Sequence, residues 1–443
     1  MTRGERLGSL GTRVVGGARA VVVPITVAWL ERAVGRARAR SLHRTRQVVL
    51  PAGAPRPPVR FLLLHAWGVG GTIRTTFTTA AHLSSTHDVE VVSVLRGVVE
   101  PGLAVPPGVR LRALHDRTRR RPTPRNVAAL LLAKAPPVLW HKQDWAYERA
   151  SLWTDVLLLR WLRSLPDGTI VVTTRPALTL LASRLAPAGV VVIAQEHQHL
   201  SHHRQDLREA LAASLPNVSM LLTLTRADCT AYEELLGATG PAVRAIPNAV
   251  PDVPAGPGDP GAHRLIAAGR LNHQKGFDLL LAAFATASAS HPDWTLDIFG
   301  EGPLRPKLEE LVVSLGLVGR ARVNHSTERL GERMRDASVH VLSSRFEGFP
   351  LILLEAMAAG LCVVSFDCPT GPGEIITDES NGLLVPAQDV PAMAAALDRV
   401  MSDEPLRRRL AAEAPAAMRP YSSQQVGRRW DELLAGSNPA NPV

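Results

Sequence analysis

Along this chain of 443 residues, short apolar runs alternate with longer stretches whose apolar positions repeat at helical spacing. In the first half the runs are Val59–His65, Val89–Leu95, Thr169–Thr173, Val190–Gln195 and Met220–Leu224. In the second half they are Leu265–Ala268, Thr295–Phe299, Arg322–Asn324, Val339–Leu342 and Cys362–Phe366. Runs this short, bounded by turn formers, predict buried strands. Stretches such as Thr72–Ser84, Trp153–Leu165 and Ala177–Leu185 predict helices between them. Strand and helix in alternation imply parallel, doubly wound sheets. The expected fold class is α/β: two Rossmann-like domains facing each other, with a cleft at the carboxyl ends of their strands.

Proline and glycine mark the joints. Pro51–Pro58 reads as a hinge, and Pro247–Val250 runs into the Pro/Gly-dense Pro251–Gly261. The predicted divisions are an arm over residues 1–58, an N-terminal domain over 59–248, a linker over 249–263 and a C-terminal domain over 264–420. A terminal segment over 421–443 carries the amphipathic run Ser423–Leu434. Two domains also suit the length.

The net charge of +10 changes the picture only for the arm. Residues 1–60 hold twelve arginines against Glu5 and Glu31, which accounts for the whole excess. Inside the arm, Val14–Leu30 is apolar but broken by Gly16, Gly17, Arg19 and Pro24. That falls short of the ~20 uninterrupted residues a membrane span needs. Residues 1–50 suit an anionic membrane surface; a disordered basic extension is the other reading. Nucleic acid is not an expected partner, because neither a recognition module nor interleaved aromatics accompany the charge. Three cysteines (Cys229, Cys362, Cys368) without a C-x-x-C fit a reducing compartment. The expected location is cytoplasmic, or peripheral on the inner face of the cell membrane. His199, His202 and His203 cluster without acid or thiol spacing, so no metal site is expected.

The candidate chemistry begins at Ser344–Glu355. Glu347 lies in a loop broken by Gly348 and Pro350, and Glu355 follows after seven intervening residues, inside the apolar helical run Leu351–Ala359. A carboxylate at the first turn of such a helix is poorly placed for packing. It suits a polyol, because it accepts two hydroxyl hydrogen bonds. Upstream, Gly269-Arg270-Leu271 follows a strand and Lys275-Gly276-Phe277-Asp278 opens a helix. A cation at each end of a short loop beside a helix N-terminus suits a pyrophosphate. Gly300, in Phe299-Gly300-Glu301-Gly302-Pro303, and Phe366–Ile376 form further strand-to-helix turns where backbone can approach a ligand. Gly70 and Gly71 occupy the equivalent turn of the first half, and Gln195-Glu196-His197 ends an apolar strand.

Together these segments resemble the E-x7-E signature of retaining, nucleotide-sugar-dependent glycosyltransferases with the GT-B fold, family 4. The resemblance is strong through Arg264–Pro386 and weaker across Val59–Val250. It implies that Glu355 holds the ribose, Glu347 the sugar hydroxyls, and Arg270 with Lys275 the diphosphate. Gly70, Gly71, Gly300, Gly348 and Phe349 would line the donor, and His197 would contact the transferred sugar, with Glu196 a candidate on the acceptor side. The implied catalytic set is Glu347, His197, Arg270 and Lys275, acting with retention. No D-x-D occurs in the chain, which agrees with a metal-independent enzyme. The co-substrate would be a nucleotide-diphosphate sugar, UDP or GDP based, with no other cofactor. The acceptor would be a glycan or lipid-linked glycan chosen by loops such as Arg117–Arg125 and Trp140–Tyr147. Thr72-Ile73-Arg74 departs from the family, where an acid usually follows the glycine pair. Other readings are a GT-B transferase acting on wall-polymer polyol phosphates, a sugar-nucleotide-binding protein without turnover, and a membrane scaffold.

Overall fold

A computed structural model describes residues 21–32, 56–118, 127–250 and 258–435. The first sheet contains β1 (Val59–His65), β2 (Val89–Arg96), β3 (Val109–Asp116), β4 (Ile170–Thr173), β5 (Val191–Gln195), β6 (Met220–Thr223) and β7 (Ala242–Ala245). The second contains β8 (Arg264–Ala268), β9 (Thr295–Phe299), β10 (Ala321–Asn324), β11 (Val339–Leu342), β12 (Cys362–Asp367) and β13 (Leu383–Pro386). Their spatial orders are β3-β2-β1-β4-β5-β6-β7 and β10-β9-β8-β11-β12-β13, and every pairing is parallel. Central strands are apolar on both faces because helices cover both sides. In β1 every residue but the last is buried.

The first domain carries α2 (Gly71–Leu83), α3 (Val127–Ala133), α4 (Leu152–Arg163), α5 (Pro176–Leu185), α6 (Gln205–Ser214) and α7 (Arg226–Leu236), after the helical residues 21–32 (α1). The second carries α8 (Phe277–Ala287), α9 (Arg305–Ser314), α10 (Leu330–Arg335), α11 (Leu351–Ala358), α12 (Pro372–Ile375), α13 (Val390–Ser402), α14 (Glu404–Ala417) and α15 (Ser423–Leu434). These are two doubly wound Rossmann-like domains, the GT-B architecture. Each sheet reverses its strand order once, between β1 and β4 and between β8 and β11. Such reversals open a crevice beyond the strands' carboxyl ends.

Three strands were not read from sequence as strands. β3 alternates apolar residues with Arg110 and Arg112 because it is an edge strand with β2 as its one neighbour, and Arg110 pairs with Asp88 at 2.5 Å. β7 and β13 are four-residue edge strands, too short for a periodic signal. Within the expected arm, α1 packs on the first domain: Leu30 is fully buried in its core, and the Arg163 guanidinium lies 5.8 Å from the Trp29 ring. The expectations for residues 1–20 and 33–55 fall outside the described residues. No helix among the described residues is long and apolar enough to cross a membrane.

The C-terminal helix returns to the first domain. Val426, Trp430 and Leu434 repeat every four residues on its buried face, and the Trp430 ring stands edge-on to Phe61 of β1 at 5.9 Å. Asp431 meets His82 of α2 at 2.8 Å. Trp430→Ala is therefore expected to cost about 3–5 kcal/mol. Denaturant unfolding followed by circular dichroism measures it; a loss below 1 kcal/mol would mean the helix is not part of the first domain's core.

Candidate active site in the interdomain cleft

The second domain builds its side of the cleft by stitching the β8–α8 loop to the end of β11. Gly276 is left-handed (φ 61°), and a Cβ there would lie 2.1 Å from the Ser343 carbonyl. Only glycine fits both constraints. Arg345 bridges to Asp278 through two bonds of 2.9 and 2.6 Å, and Gln274 Nε2 donates to the Phe346 carbonyl at 3.1 Å. These ties fix Lys275 opposite Glu347: Nζ lies 2.5 Å from Oε1, and Ser344 Oγ donates to the same oxygen at 2.5 Å. Oε2 takes no hydrogen bond among the described residues. The β12–α12 loop holds Glu347 from the other side, with its N–H on the Pro369 carbonyl and its carbonyl accepting from Thr370 N–H. Arg270 is exposed at the rim, and its guanidinium has no partner among the described residues.

The first domain supplies the facing wall. Arg74 lies one turn after Gly70-Gly71 in α2, and its Nη1 is 2.5 Å from Glu355 Oε1. Glu355 sits in the second turn of α11, not the first. Burial pushes its carboxyl above the usual carboxylate range, and the Arg74 charge opposes that shift. The domains touch through backbone where β5 ends: a Cβ on Gly348 would lie 2.1 Å from the His197 carbonyl. Nearby, His202 and Phe346 rings are 4.1 Å apart. Glu374 caps α7 across the seam, accepting from Arg226 and Ala227 N–H at 3.0 Å each.

His197 has a buried Nε2 without a partner, and burial lowers its pKa to about 4. At neutral pH it is therefore an uncharged imidazole. The buried Glu196 carboxylate faces His203 Nε2 at 3.4 Å, and burial raises its pKa. It belongs to a polar cluster within the first domain.

The geometry thus gathers Glu347, Lys275, Gly348, Phe349, Glu355 and His197 at one seam. Gly71 faces Leu351, whose Cδ1 would lie 3.4 Å from an added Cβ. Gly300 stands at the end of β9, where a Cβ would meet the Gly269 carbonyl at 1.9 Å. Packing beside the Arg270 loop accounts for that glycine. Arg74, which stands where an acid usually follows the glycine pair, and Ser344, at the head of the Glu347 segment, complete the two carboxylate pairings, and neither carries a local signal for that role. No group of three or more His, Cys, Asp or Glu is placed to hold a metal among the described residues.

Comparison with known proteins follows the same division. Residues 258–417 match the family described as glycosyl transferases group 1. An exopolysaccharide phosphotransferase of Streptomyces coelicolor is 35% identical over 386 residues, 85% of this chain and 40% of that protein. An amylovoran biosynthesis glycosyltransferase of Erwinia amylovora is 31% identical over 172 residues, 39% of this chain and 48% of that protein. The chain thus spans half or less of the length of these relatives. In fold it is similar to TarM of S. aureus, solved with UDP, at TM-score 0.69 and 13% identity over 85% of this chain and 99% of TarM. The pneumococcal O-GlcNAc transferase GtfA, solved with UDP and GlcNAc, gives 0.66 and 14%, over 86% and 99%. The C-terminal domain, residues 258–417, is thus a group 1 glycosyl transferase domain, carried in a chain of GT-B fold.

Proposed function

We propose that this protein transfers a sugar, with retention, from a nucleotide-diphosphate sugar to a hydroxyl of a cell-envelope glycan. The observation that carries the reading is the pairing of two cleft carboxylates with cations, Glu347 with Lys275 and Glu355 with Arg74, beside an unpaired Arg270. Ribose and sugar hydroxyls can replace one partner of each carboxylate. The diphosphate can take Lys275 and Arg270, which stabilise the charge that develops on the leaving group. UDP in the solved TarM and GtfA supports a nucleotide sugar as donor, and the exopolysaccharide and amylovoran relatives support an envelope glycan as product.

Glu347 is a weakened nucleophile here, because the Lys275 charge and the Ser344 hydroxyl on Oε1 draw electron density from the whole carboxylate. The mechanism that fits is front-face attack: the acceptor oxygen bonds to the anomeric carbon as the C1–O bond breaks. The departing phosphate oxygen takes the acceptor proton, and a neutral His197 bonds a sugar hydroxyl without adding charge. With Arg270 and Lys275 offsetting the diphosphate charge, the step runs without metal. Gly70 and Gly71 leave the first domain's backbone free to approach the phosphates, and closure across the Gly348 seam excludes water.

The name of the Streptomyces relative raises a second reading, transfer of a sugar phosphate. The two break different bonds. Sugar transfer releases a nucleoside diphosphate; sugar-phosphate transfer cleaves the diphosphate and releases a nucleoside monophosphate. Incubation with UDP- and GDP-sugars and an envelope glycan fraction, with chelator present, is expected to release the diphosphate and give a product with the donor's anomeric configuration by proton NMR. Lys275→Ala should lower kcat by about 10²–10³-fold. Release of the monophosphate, or an inverted product, would overturn the proposal.

A further inference from the structure

The donor site uses the strand reversal of the second sheet; the reversal of the first, between β1 and β4, carries a different set of side chains. His65 ends β1, Arg117 follows β3, Arg175 follows β4, and the turn at Trp145–Arg149 closes over them. Trp145 is 50% exposed. The guanidinium carbons of Arg175 and Arg149 lie 4.3 and 4.6 Å from its ring centre, and the His65 ring is 6.4 Å away. The two arginines differ in role. Arg175 is bound to the buried Asp144 at 2.6 Å, and Asp144 also accepts from Ala146 and Ala177 N–H. That network fixes the turn and orients Trp145. Arg149 and Arg117 meet no carboxylate among the described residues, and Arg117 Nη2 donates to the Arg149 carbonyl at 2.6 Å, holding the two cations together.

The acids nearby do not neutralise this face. Asp144 is occupied by Arg175, Asp116 is shared with Arg96 at 3.4 Å, and the exposed Glu148 is the remaining carboxylate of the turn. Burial, Arg149 and Arg175 all lower the His65 pKa, which keeps that ring a neutral donor or acceptor.

We infer that this cluster is an acceptor subsite for a phosphate-bearing glycan, with the phosphate held by Arg149 and Arg117 and the sugar against the part of the Trp145 indole that the two arginines leave exposed. The inference rests on the glycosyl-transfer reading above and names its acceptor class. The guanidinium fork matches phosphate oxygens in pairs, and the half of the Trp145 surface left exposed by Arg175 and Arg149 can meet a sugar's C–H groups. The location follows the rule for open parallel sheets, in which ligands enter beyond the carboxyl ends at the reversal. The neighbouring carboxyl edge, at His197, touches the Glu347 loop, so the subsite opens on the same cleft as the donor.

The test is binding of three probes to the full chain without donor: a prenyl-diphosphate-linked disaccharide, a ribitol-phosphate oligomer bearing a sugar, and the same disaccharide without phosphate. One phosphate-bearing probe should bind at least about tenfold more tightly than the neutral disaccharide, and which one does so separates a lipid-linked from a polymer acceptor. The Arg117→Gln/Arg149→Gln variant should lose about 10–100-fold for that probe. It should keep the wild-type affinity for the neutral disaccharide and the wild-type nucleotide-induced thermal shift. Trp145→Ala should weaken phosphorylated and neutral probes alike. Equal binding of all three probes by wild type, no measurable binding of any, or an unaffected double variant would overturn the inference. Failure of the donor reading is distinguishable, because it would abolish the wild-type nucleotide shift without altering the phosphate preference.

Discussion

Two carboxylates enclosed where two domains meet are the constraint on which this cleft depends. Burying an ionised carboxylate is costly unless a cation and hydrogen bonds compensate it. Glu347 finds Lys275 from its own domain; Glu355 finds Arg74 from the other. Much of the local structure serves the first pair: the left-handed Gly276, the Arg345–Asp278 bridge and the Thr370 clamp all hold the Glu347 loop in place. The second pair makes the position of the first domain part of the electrostatics of the second. Glu355 keeps a raised pKa despite Arg74, so burial outweighs the single guanidinium.

The same arrangement sets the charge of the cleft. Arg74, Lys275 and Arg270 exceed the two carboxylates by one positive charge, a balance that favours an anionic ligand. Backbone contact between Gly348 and His197 leaves no side chain between the domains at that point. A bulkier residue at 348 would hold the seam open, and α15, anchored by Trp430 on the first domain, limits how far the domains can separate.

Much of the fold was legible in the sequence because parallel strands covered on both faces leave short, continuous apolar runs, as in Val59–His65 and Val339–Leu342. The C-terminal side of the candidate site was legible because each turn carries its own short motif: Lys275 and Glu347, 72 residues apart, lie on loops that follow adjacent strands of one sheet. Contacts across the domains were not. Arg74 and Glu355 are 281 residues apart, and no local pattern announces such a pair. β3 escaped because an edge strand with outward arginines lacks the continuous run. Residues 21–32 escaped because glycine, arginine and proline interrupt the apolar stretch Val14–Leu30, although Leu30 is wholly buried. Trp145 lay in a stretch that looked like a free loop, and its arginine neighbours Arg149 and Arg175 come together only once the turn folds over the ends of β1 and β4.

The most direct test of the paired-carboxylate cleft is thermal unfolding of wild type, Glu355→Ala and Arg270→Ala against UDP, GDP, ADP, dTDP and CDP. A ligand at 100 times its dissociation constant adds about 2.7 kcal/mol to stability. The account predicts that one of these nucleotides raises the wild-type melting temperature and that both variants lose most of the shift. No shift with any nucleotide, or the same shift in both variants as in wild type, would contradict it.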